Sequence, residues 1–162
     1  MNESELKAVR DRLDIAEVMT RYATGVDTRS VEMLRGCFAD EVEIQASSSG
    51  RLNELFKQTG FSPGLKLGLE QWVKMLAEGM SVMPVTQHTI SNHLIEIGGD
   101  EAQMTCYLRA MHFGGTQFPG SPPYEVGGYY RHILVRTAAG WKIRKWTLTC
   151  TWETGDASVL VK

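Results

Sequence analysis

The chain has 162 residues, 43% of them hydrophobic and 22% charged, which suits one domain with an ordinary core. Its 17 basic and 19 acidic residues argue against nucleic acid as the main partner, because phosphate binding needs a basic surface. No apolar run approaches the ~20 residues that span a bilayer, and the N-terminus lacks the apolar block of a signal peptide. The composition therefore predicts a soluble, cytoplasmic single domain over residues 1–162, with no nucleic-acid or membrane partner.

Three helices are predicted in the first half of the chain. The first begins at Asn2 or Ser4 and ends or loosens near Gly25. Its apolar residues recur mostly at spacings of three and four, as helices require: Leu6, Val9, Leu13, Ala16, Val18, Met19, Tyr22 and Val26. Ser30 is predicted to cap a shorter helix, and a third helix carries Leu69, Trp72, Val73, Met75 and Leu76.

Between the second and third helices the pattern is less regular. A short strand is predicted over 42–46. The polar, Gly-containing segment 47–68 that follows is long for a connection, and such loops often act as lids or binding loops.

The second half of the chain is rich in Val, Ile, Thr, Tyr and Trp. Four strands are predicted, over 86–97, 101–113, 124–137 and 140–152. Tight turns at "IGGDE" and "TAAGW" favour antiparallel pairing. Helices followed by an antiparallel sheet indicate an α+β fold.

Two histidines occur where strand alternation permits a pocket. Alternation places His88, Ile90, Asn92 and Leu94 on one side of their strand. In the next strand His112 ends an otherwise apolar stripe. This position is typical of a titratable group at the mouth of a pocket, and equally of a hydrogen-bonded histidine at the edge of the core. The other two histidines, at 93 and 132, are predicted to be surface or edge residues.

Other chemistry-bearing residues give weaker signals. Cys37, Cys106 and Cys150 form no CxxC or Cys/His cluster, so they are interpreted as small hydrophobes in half-buried positions. Asp27 follows the first predicted helix, where an aspartate is most often a cap or turn former. Dinucleotide, P-loop, GxSxG and HExxH motifs are absent from the sequence.

A resemblance to a known family adds to this interpretation. Residues 5–44, with Tyr-x4-Asp in "YATGVD" and a later Phe-x-Asp, together with "TQH", "LRAMH" and "AAGWKIRKW", resemble the SnoaL-like branch of the nuclear-transport-factor-2-like superfamily. The resemblance covers roughly residues 5–155. Within the branch the segments are most similar to scytalone dehydratase, and "YATGVD" also resembles bile-acid 7-alpha-dehydratase and gamma-hexachlorocyclohexane dehydrochlorinase.

The resemblance implies a cone-shaped α+β barrel in which a curved sheet wraps round three helices and leaves a deep pocket. It implies a His–Asp dyad at His88 and Asp27, with no metal and no organic cofactor. His112 matches a second pocket histidine, and Tyr22 matches the tyrosine of the bile-acid enzyme. The candidate catalytic residues are Asp27, His88, His112, Tyr22 and Tyr130, and the candidate substrate-binding residues are Asn92, Phe113, Phe118, Trp72 and Leu108.

The sequence also departs from scytalone dehydratase. Ala46 stands for a tyrosine, Tyr130 for a pocket asparagine, and Thr151 for an arginine near the end of the last strand. Scytalone itself is therefore not expected as the substrate.

The predicted reaction is a cofactor-independent elimination of water from a small hydrophobic, cyclic or aromatic hydroxy compound. Imidazole titrates near neutrality, so His88 suits a general base, with Asp27 fixing its tautomer and with His112, Tyr130 or Tyr22 as donors. Isomerisation, retro-aldol-type carbon–carbon cleavage, or a non-enzymatic ligand-binding or accessory role remain alternatives. A homo-oligomer, trimer or dimer, is expected, with Tyr129, Ile133, Trp146 and Leu148 at its interface.

Overall fold

A computed structural model describes residues 2–48, 50–54, 64–81, 83, 85–114 and 122–160. Within them, helices precede a mostly antiparallel sheet, so the α+β prediction is confirmed. The helices are α1 (Glu3–Thr28), α2 (Val31–Arg35) and α3 (Leu69–Ser81), and a 3-10 turn covers Ala157–Leu160. The strands are β1 (Phe38–Ser48), β2 (Leu65–Gly68), β3 (Val85–Gly98), β4 (Glu101–Phe113), β5 (Tyr124–Thr137) and β6 (Gly140–Thr154).

The six strands form one sheet in the order β2-β1-β6-β5-β4-β3. The antiparallel run from β3 to β6 is confirmed, and both predicted tight turns connect neighbouring strands. Two features differ from the prediction. β1 is longer than 42–46 and pairs parallel with β6, and part of the predicted loop 47–68 is the edge strand β2.

Helix α1 begins at a capping box, in which the side chains of Asn2 and Glu5 each accept from the other's backbone N–H at 2.9 Å. Its buried apolar face consists of Ile15, Val18, Met19, Tyr22, Ala23 and Val26. Leu6, Val9 and Leu13, which share the predicted helical spacing, do not belong to this buried face and are 50%, 48% and 66% exposed. At 3.6 residues per turn these three lie roughly 120–180° round the helix from Ile15, so they belong to a second stripe.

The end of α1 packs closely against α2. The helix does not end at Gly25 but continues to Thr28. A Cβ atom at position 25 would lie 3.1 Å from the Leu34 side chain, so glycine permits the close approach of the two helices. Ser30 caps α2 as predicted, since its side chain accepts from the Met33 backbone N–H.

The space between helices and sheet is filled by aromatic rings. The Tyr22 ring meets those of Phe38 and Tyr130 edge to face, each at 5.9 Å between centroids, and the Trp72 ring lies 5.4 Å from that of Trp146. These contacts hold the inner face of the sheet against α1 and α3.

The interface prediction is wrong for two residues. Trp146 and Leu148 are 4% and 8% exposed and belong to the core. Alternation along β5 and β6 explains the error. Tyr129 and Ile133 lie on the outer face and are half-buried, whereas Trp146 and Leu148 lie on the inner face.

His132 is also not a surface residue, because it is fully buried on the inner face between Tyr130 and Trp146. Its Nδ1 accepts from the Thr147 backbone N–H at 3.2 Å. Burial lowers its pKa to about 3, which keeps the ring neutral.

A bulge interrupts β3. Its register with β4 shifts between Ser91 and Leu94, and Asn92 has a left-handed φ of 55°. The extra residue reverses the alternation, so Ile95 faces the core whereas Leu94 is 72% exposed. The prediction that one face continues from His88 through Asn92 to Leu94 is therefore wrong beyond Ile90.

An ionic cluster ties α1 to the far end of the sheet. The carboxylate of Asp11 accepts from both terminal nitrogens of Arg136, at 2.6 and 2.8 Å, from Lys7 at 2.8 Å and from the Trp141 ring N–H at 3.2 Å. Arg136 also lies over the Trp141 ring, 4.3 Å from its centroid. Hydrogen bonding to Arg136 holds the pKa of Asp11 well below its usual range, against the opposing effect of burial.

The three cysteines are free and pack as small hydrophobes, but they are buried more deeply than the half-buried positions predicted for them. Burial raises the pKa of the Cys37 thiol to about 11 and those of Cys106 and Cys150 to about 12. Such thiols stay protonated and inert at neutral pH.

Candidate active site

The fold brings Asp27 and His88 into direct contact. Asp27 lies within the last turn of α1, not after the helix, and His88 lies on the inner face of β3. Nδ1 of His88 is 2.7 Å from Oδ1 of Asp27, and the His88 backbone N–H donates to Oδ2 at 2.8 Å. Both carboxylate oxygens are thus engaged by one residue, which fixes the imidazole ring relative to the helix.

The dyad determines the tautomer of the base. A carboxylate only accepts, so Nδ1 of His88 carries the proton. The lone pair of a neutral imidazole is then on Nε2, and this nitrogen can take a proton from a substrate. The side chains of His88 and Asp27 are 9% and 23% exposed, so the pair is largely shielded from water.

Thr86 and Arg29 complete the surroundings of Asp27. The Thr86 hydroxyl donates to Oδ1 of Asp27 at 2.9 Å. Arg29 Nη1 donates to that hydroxyl at 3.1 Å and to the Asp27 main-chain carbonyl at 2.6 Å, and Nη2 donates to the Met83 carbonyl. Burial opposes ionisation of Asp27, but the hydrogen bonds from His88 and Thr86 prevail and lower its pKa.

Sequence reasoning missed both supporting residues. Thr86 had a usable signal, since it lies two residues before His88 and alternation places both side chains on one face. Arg29 had none, because its position depends on a left-handed backbone, φ 58°, at the end of α1.

His112 lies beside the dyad on the inner face of the sheet. Its ring centroid is 6.0 Å from that of His88, with the two rings nearly perpendicular. Nδ1 of His112 is 3.2 Å from the main-chain carbonyl of Tyr124. Burial, followed by the proximity of His88, lowers the pKa of His112 to about 4, so the ring is neutral at physiological pH.

A second carboxylate, that of Glu153, was not predicted from the sequence and holds the residues next to His112 in place. Glu153 accepts from the Tyr124 hydroxyl at 2.7 Å and from the backbone N–H groups of Arg51 and Leu52 at 2.6 and 3.3 Å. A Cβ atom at Gly50 would lie 2.2 Å from the Glu153 carboxylate, so a side chain at this position would displace that carboxylate. Glu153, at the end of β6, thereby fixes the start of β5, whose Tyr124 carbonyl contacts His112.

The two candidate tyrosines lie deeper than the dyad. Tyr22 and Tyr130 are 4% and 2% exposed and belong to the aromatic core. Burial raises the pKa of Tyr22 to about 12 and that of Tyr130 well above its usual value, so both phenols stay protonated. Among the described residues, neither donates a hydrogen bond to Asp27 or His88.

The candidate substrate-binding residues do not gather at one place. Trp72 and Leu108 are buried in the core, and Phe113 is half-buried at the end of β4, directly after His112. Asn92 is exposed in the bulge, so the structure does not bring it to the dyad. Phe118 lies outside the described residues.

Three hollows on the described surface lie away from the dyad. One is on the outer face of the sheet around Tyr107 and Trp152, one beside the first turns of α1, and one between α1 and the turn before β6. None of these three is lined by Asp27, His88 or His112. The candidate site is therefore defined by side-chain geometry, with segments 55–63 and 115–121 outside the described residues.

Two further searches concern metals and membranes. Among the described residues, no group of three or more His, Cys, Asp or Glu side chains has the arrangement that would hold a metal ion. The helices in the described part of the chain include none with the length and hydropathy needed to cross a membrane.

The helices, the curved sheet and the Asp–His pair define a protein of the cone-shaped α+β class. The SnoaL-like domain matches residues 7–147, so the chain belongs to the SnoaL-like family.

Three known proteins illustrate the similarity. A Kribbella flavida protein of solved structure, Kfla4162, is 25% identical with a TM-score of 0.80, over 94% of this chain and 98% of that one. A Novosphingobium aromaticivorans protein provisionally named scytalone dehydratase is 22% identical with a TM-score of 0.71, over 96% and 92%. The "Terrestric acid biosynthesis cluster protein E" of Penicillium crustosum is 37% identical over 82 residues, which is 48% of this chain and 53% of that protein.

Proposed function

We propose that this chain is a lyase of the dehydratase type that removes water from a small hydrophobic, cyclic or aromatic hydroxy compound. The observation that carries the proposal is the 2.7 Å contact between Nδ1 of His88 and Oδ1 of Asp27 on the inner face of the sheet. It leaves Nε2 of the histidine as a base in a largely water-shielded position. The proposed chemistry uses side chains alone.

Similarity supports the same class of function. The family includes enzymes that convert small molecules, and one structural neighbour bears the name of a dehydratase. The fungal relative is named for a biosynthetic cluster, which fits a role in aromatic or polyketide metabolism. Fold likeness alone does not define a reaction, so the dyad geometry remains the main argument.

The proposed reaction begins at a carbon beside a carbonyl group or an aromatic ring. Nε2 of His88 takes a proton from that carbon, and the electron pair moves into the neighbouring acceptor. Asp27 stabilises the imidazolium that forms and keeps it oriented. The imidazolium then returns its proton to the leaving hydroxyl, the C–O bond breaks, and an alkene and water result.

We propose a role for His112 that differs from the one suggested by the sequence. The sequence suggested a proton donor, but Nδ1 already donates to a carbonyl and the low pKa leaves Nε2 unprotonated at neutral pH. Direct protonation of the leaving group is therefore assigned to His88 and not to His112. Tyr22 and Tyr130 are assigned hydrogen-bond donation alone, since both phenols stay protonated.

The alternatives predict different products. Isomerisation gives no change in mass, and retro-aldol-type cleavage releases a carbonyl fragment. A non-enzymatic binding role is disfavoured by the close contact of Asp27 and His88, because such a module has no need of an oriented base.

The test is a screen of hydroxylated ring compounds, read by mass spectrometry for loss of one water. On a compound that is turned over, His88→Ala is expected to lower kcat by roughly 10²–10⁴. His93→Ala is the matched control, because His93 lies on the same strand and is exposed. Equal turnover by both variants would exclude His88 as the base.

Oligomer formation remains a prediction of its own. The outer face of the sheet exposes Tyr107 by 58% and Trp152 by 45%, beside the half-buried Tyr129. Burial of these rings would favour a homodimer or homotrimer. Light scattering coupled to size exclusion measures the oligomeric state directly, and a monomer at micromolar concentration would contradict the prediction.

A further inference from the structure

A second apolar stripe runs along the solvent side of α1, away from the face that packs on the sheet. Its first three members, Leu6, Val9 and Leu13, are 50%, 48% and 66% exposed. A surface hollow of about 570 Å³ is lined by these residues and by charged side chains of the same helix. An exposed apolar stripe of this kind on a helix is typical of a protein–protein contact.

The stripe has the spacing of a contact between two helices. Its residues follow one another at alternating intervals of three and four, and half-buried Ala16 and exposed Thr20 continue the same line. The Thr20 hydroxyl donates to the Ala16 carbonyl at 3.3 Å, so its hydrogen is already used within the helix. These five residues form the α1 seam. Seams with alternating intervals of three and four pack against the seam of another helix.

Charged residues border the α1 seam on both sides. Glu5 and Arg12 lie along one side, Arg10 and Glu17 lie along the other, and all four are exposed. Glu5 caps the helix through one carboxylate oxygen, and Arg12 donates from one terminal nitrogen to the Ile95 carbonyl at 2.8 Å, so both side chains are held in place. The Arg10 and Glu17 side chains make no hydrogen bond or ion pair with any described residue.

The order of these charges suits a second copy of the same helix in parallel orientation. In two parallel helices, the residue just before a seam position lies opposite the residue five positions later in the other helix. Glu5 then meets Arg10 of the second copy, and Arg12 meets Glu17 of the second copy. The twofold symmetry repeats both pairs, so four opposite-charge contacts flank the seam.

The same charges oppose an antiparallel arrangement. When two seams run in opposite directions with Val9 facing Leu13, each Arg10 lies near the other Arg10 and each Arg12 near the other Arg12. Like charges placed opposite each other disfavour that arrangement. A membrane surface is also disfavoured as the occupant, because acidic residues outnumber basic ones among the first 17 residues.

We propose that the α1 seam binds the α1 seam of a second copy of this chain, with the two helices parallel. The seam is about 20 Å long, so the contact is smaller than the roughly 1,000 Å² of a stable assembly and gives a reversible dimer. Because α1 is already folded on its own domain, no helix has to form on association. This contact is separate from the outer face of the sheet, where Tyr107 and Trp152 are exposed, and it does not depend on the proposed reaction.

Disulfide trapping tests the contact and its orientation together. In the parallel dimer, position 13 lies beside position 13 of the second copy, so Leu13→Cys is expected to form a crosslinked dimer on mild oxidation. Ala8→Cys is the matched control, because Ala8 is exposed on the same helix but lies off the seam. The native cysteines are 3% exposed or less and give little background.

The other outcomes of the trapping experiment overturn the proposal. Equal crosslinking of Leu13→Cys and Ala8→Cys would show random collision, and no crosslinking of either would show that the seam has a different partner. Crosslinking only in a mixture of Val9→Cys with Leu13→Cys would show an antiparallel contact.

Charge reversal in the protein without added cysteines tests the pairing by sedimentation equilibrium. Glu17→Arg places two cations opposite each other on both sides of the seam and should weaken dimerisation roughly tenfold. Adding Arg12→Glu exchanges the charges and should restore the wild-type dissociation constant to within about threefold. Asp14→Arg makes the same change of charge on an exposed residue off the seam and should have no effect.

A variant of the outer face separates this dimer from the oligomer predicted above. Tyr107→Glu should leave the Leu13→Cys crosslink and the effect of Glu17→Arg unchanged. If Tyr107→Glu abolished self-association and Glu17→Arg did not alter it, the copies would meet through the sheet, and the seam proposal would be overturned. Equal dissociation constants for Glu17→Arg and Asp14→Arg would overturn it as well.

Discussion

The sharpest test of the candidate site is Asp27→Asn, which keeps the shape of the side chain and removes its charge. The carboxylate accepts three hydrogen bonds, from the His88 ring, the His88 backbone and the Thr86 hydroxyl, at 2.7, 2.8 and 2.9 Å. Asparagine offers one acceptor oxygen and one donor nitrogen. In either orientation of the amide, one donor of His88 therefore faces another donor.

The two orientations fail differently. With the amide oxygen towards the ring, the amide nitrogen opposes the His88 backbone N–H. With the nitrogen towards the ring, Nδ1 must become the acceptor, and the proton moves to Nε2, where it blocks the base. We expect turnover to fall by roughly 10²–10⁴, as for loss of a group that orients a catalytic base.

Stability should also fall. A hydrogen bond to a charged group contributes about 1.5–3 kcal/mol. Asp27 is 23% exposed, so water replaces part of what is lost, and we expect the free energy of unfolding to drop by about 1–2 kcal/mol. Urea unfolding measures this difference, and ¹⁵N spectra report the tautomer of His88.

The matched control is Asp14→Asn. Asp14 lies on the same helix, is exposed and makes no hydrogen bond to the described residues. Its variant should stay within about 0.5 kcal/mol of the wild type. If Asp27→Asn behaved like Asp14→Asn in turnover, stability and tautomer, the dyad assignment would be refuted.

Two further substitutions test the surroundings. Arg136→Met leaves the buried carboxylate of Asp11 without its main partner and should lower the free energy of unfolding by about 2–3 kcal/mol in urea, since Arg136 is 26% exposed. The pKa of Asp11 is held below its usual 3.8, so the stabilisation by the Asp11–Arg136 pair is complete above about pH 5 and disappears as the pH falls through the lowered pKa. If the difference in unfolding free energy between wild type and Arg136→Met did not change with pH, the ion pair would be contradicted. Thr86→Val removes a donor to Asp27 and should lower turnover by about tenfold, equivalent to about 1.4 kcal/mol. Exposed Thr89 on the same strand provides the control Thr89→Val, and equal effects of the two valines would show that the hydroxyl of Thr86 is not needed.

Local sequence patterns predicted most of the sheet. The strands proposed at 101–113 and 124–137 have those bounds in the structure, because β-branched and aromatic runs end at turn residues on both sides. The parallel pairing of β1 with β6 was not predictable, because it joins residues about a hundred positions apart and has no local turn.

Periodicity failed where two interpretations share one pattern. Leu6, Val9 and Leu13 have helical spacing, but spacing does not say which of two stripes faces the core. The bulge at Asn92 changes the face of every later residue in β3, and a single extra residue leaves no mark in the composition. The buried His132 shows that polarity alone does not place a histidine of a strand at the surface.

The candidate site needed both the residues and the resemblance. Spacing alone favoured a cap or turn role for Asp27, and only the family pattern paired it with His88. The structure adds what neither supplied, the donors Thr86 and Arg29 and the tautomer of the second histidine.

The three buried thiols also provide a measure of how often the packing around them opens. Cys37 follows the short helix α2, whereas Cys106 and Cys150 lie on β4 and β6, and each is 3% exposed or less. A thiol reagent reaches them only when that packing opens. The labelling rates therefore give the free energy of opening separately for the helices, at Cys37, and for the sheet, at Cys106 and Cys150. Faster labelling of Cys37 than of the two strand cysteines would show that the helices separate from an intact sheet, which is one route by which a ligand enters a closed cone.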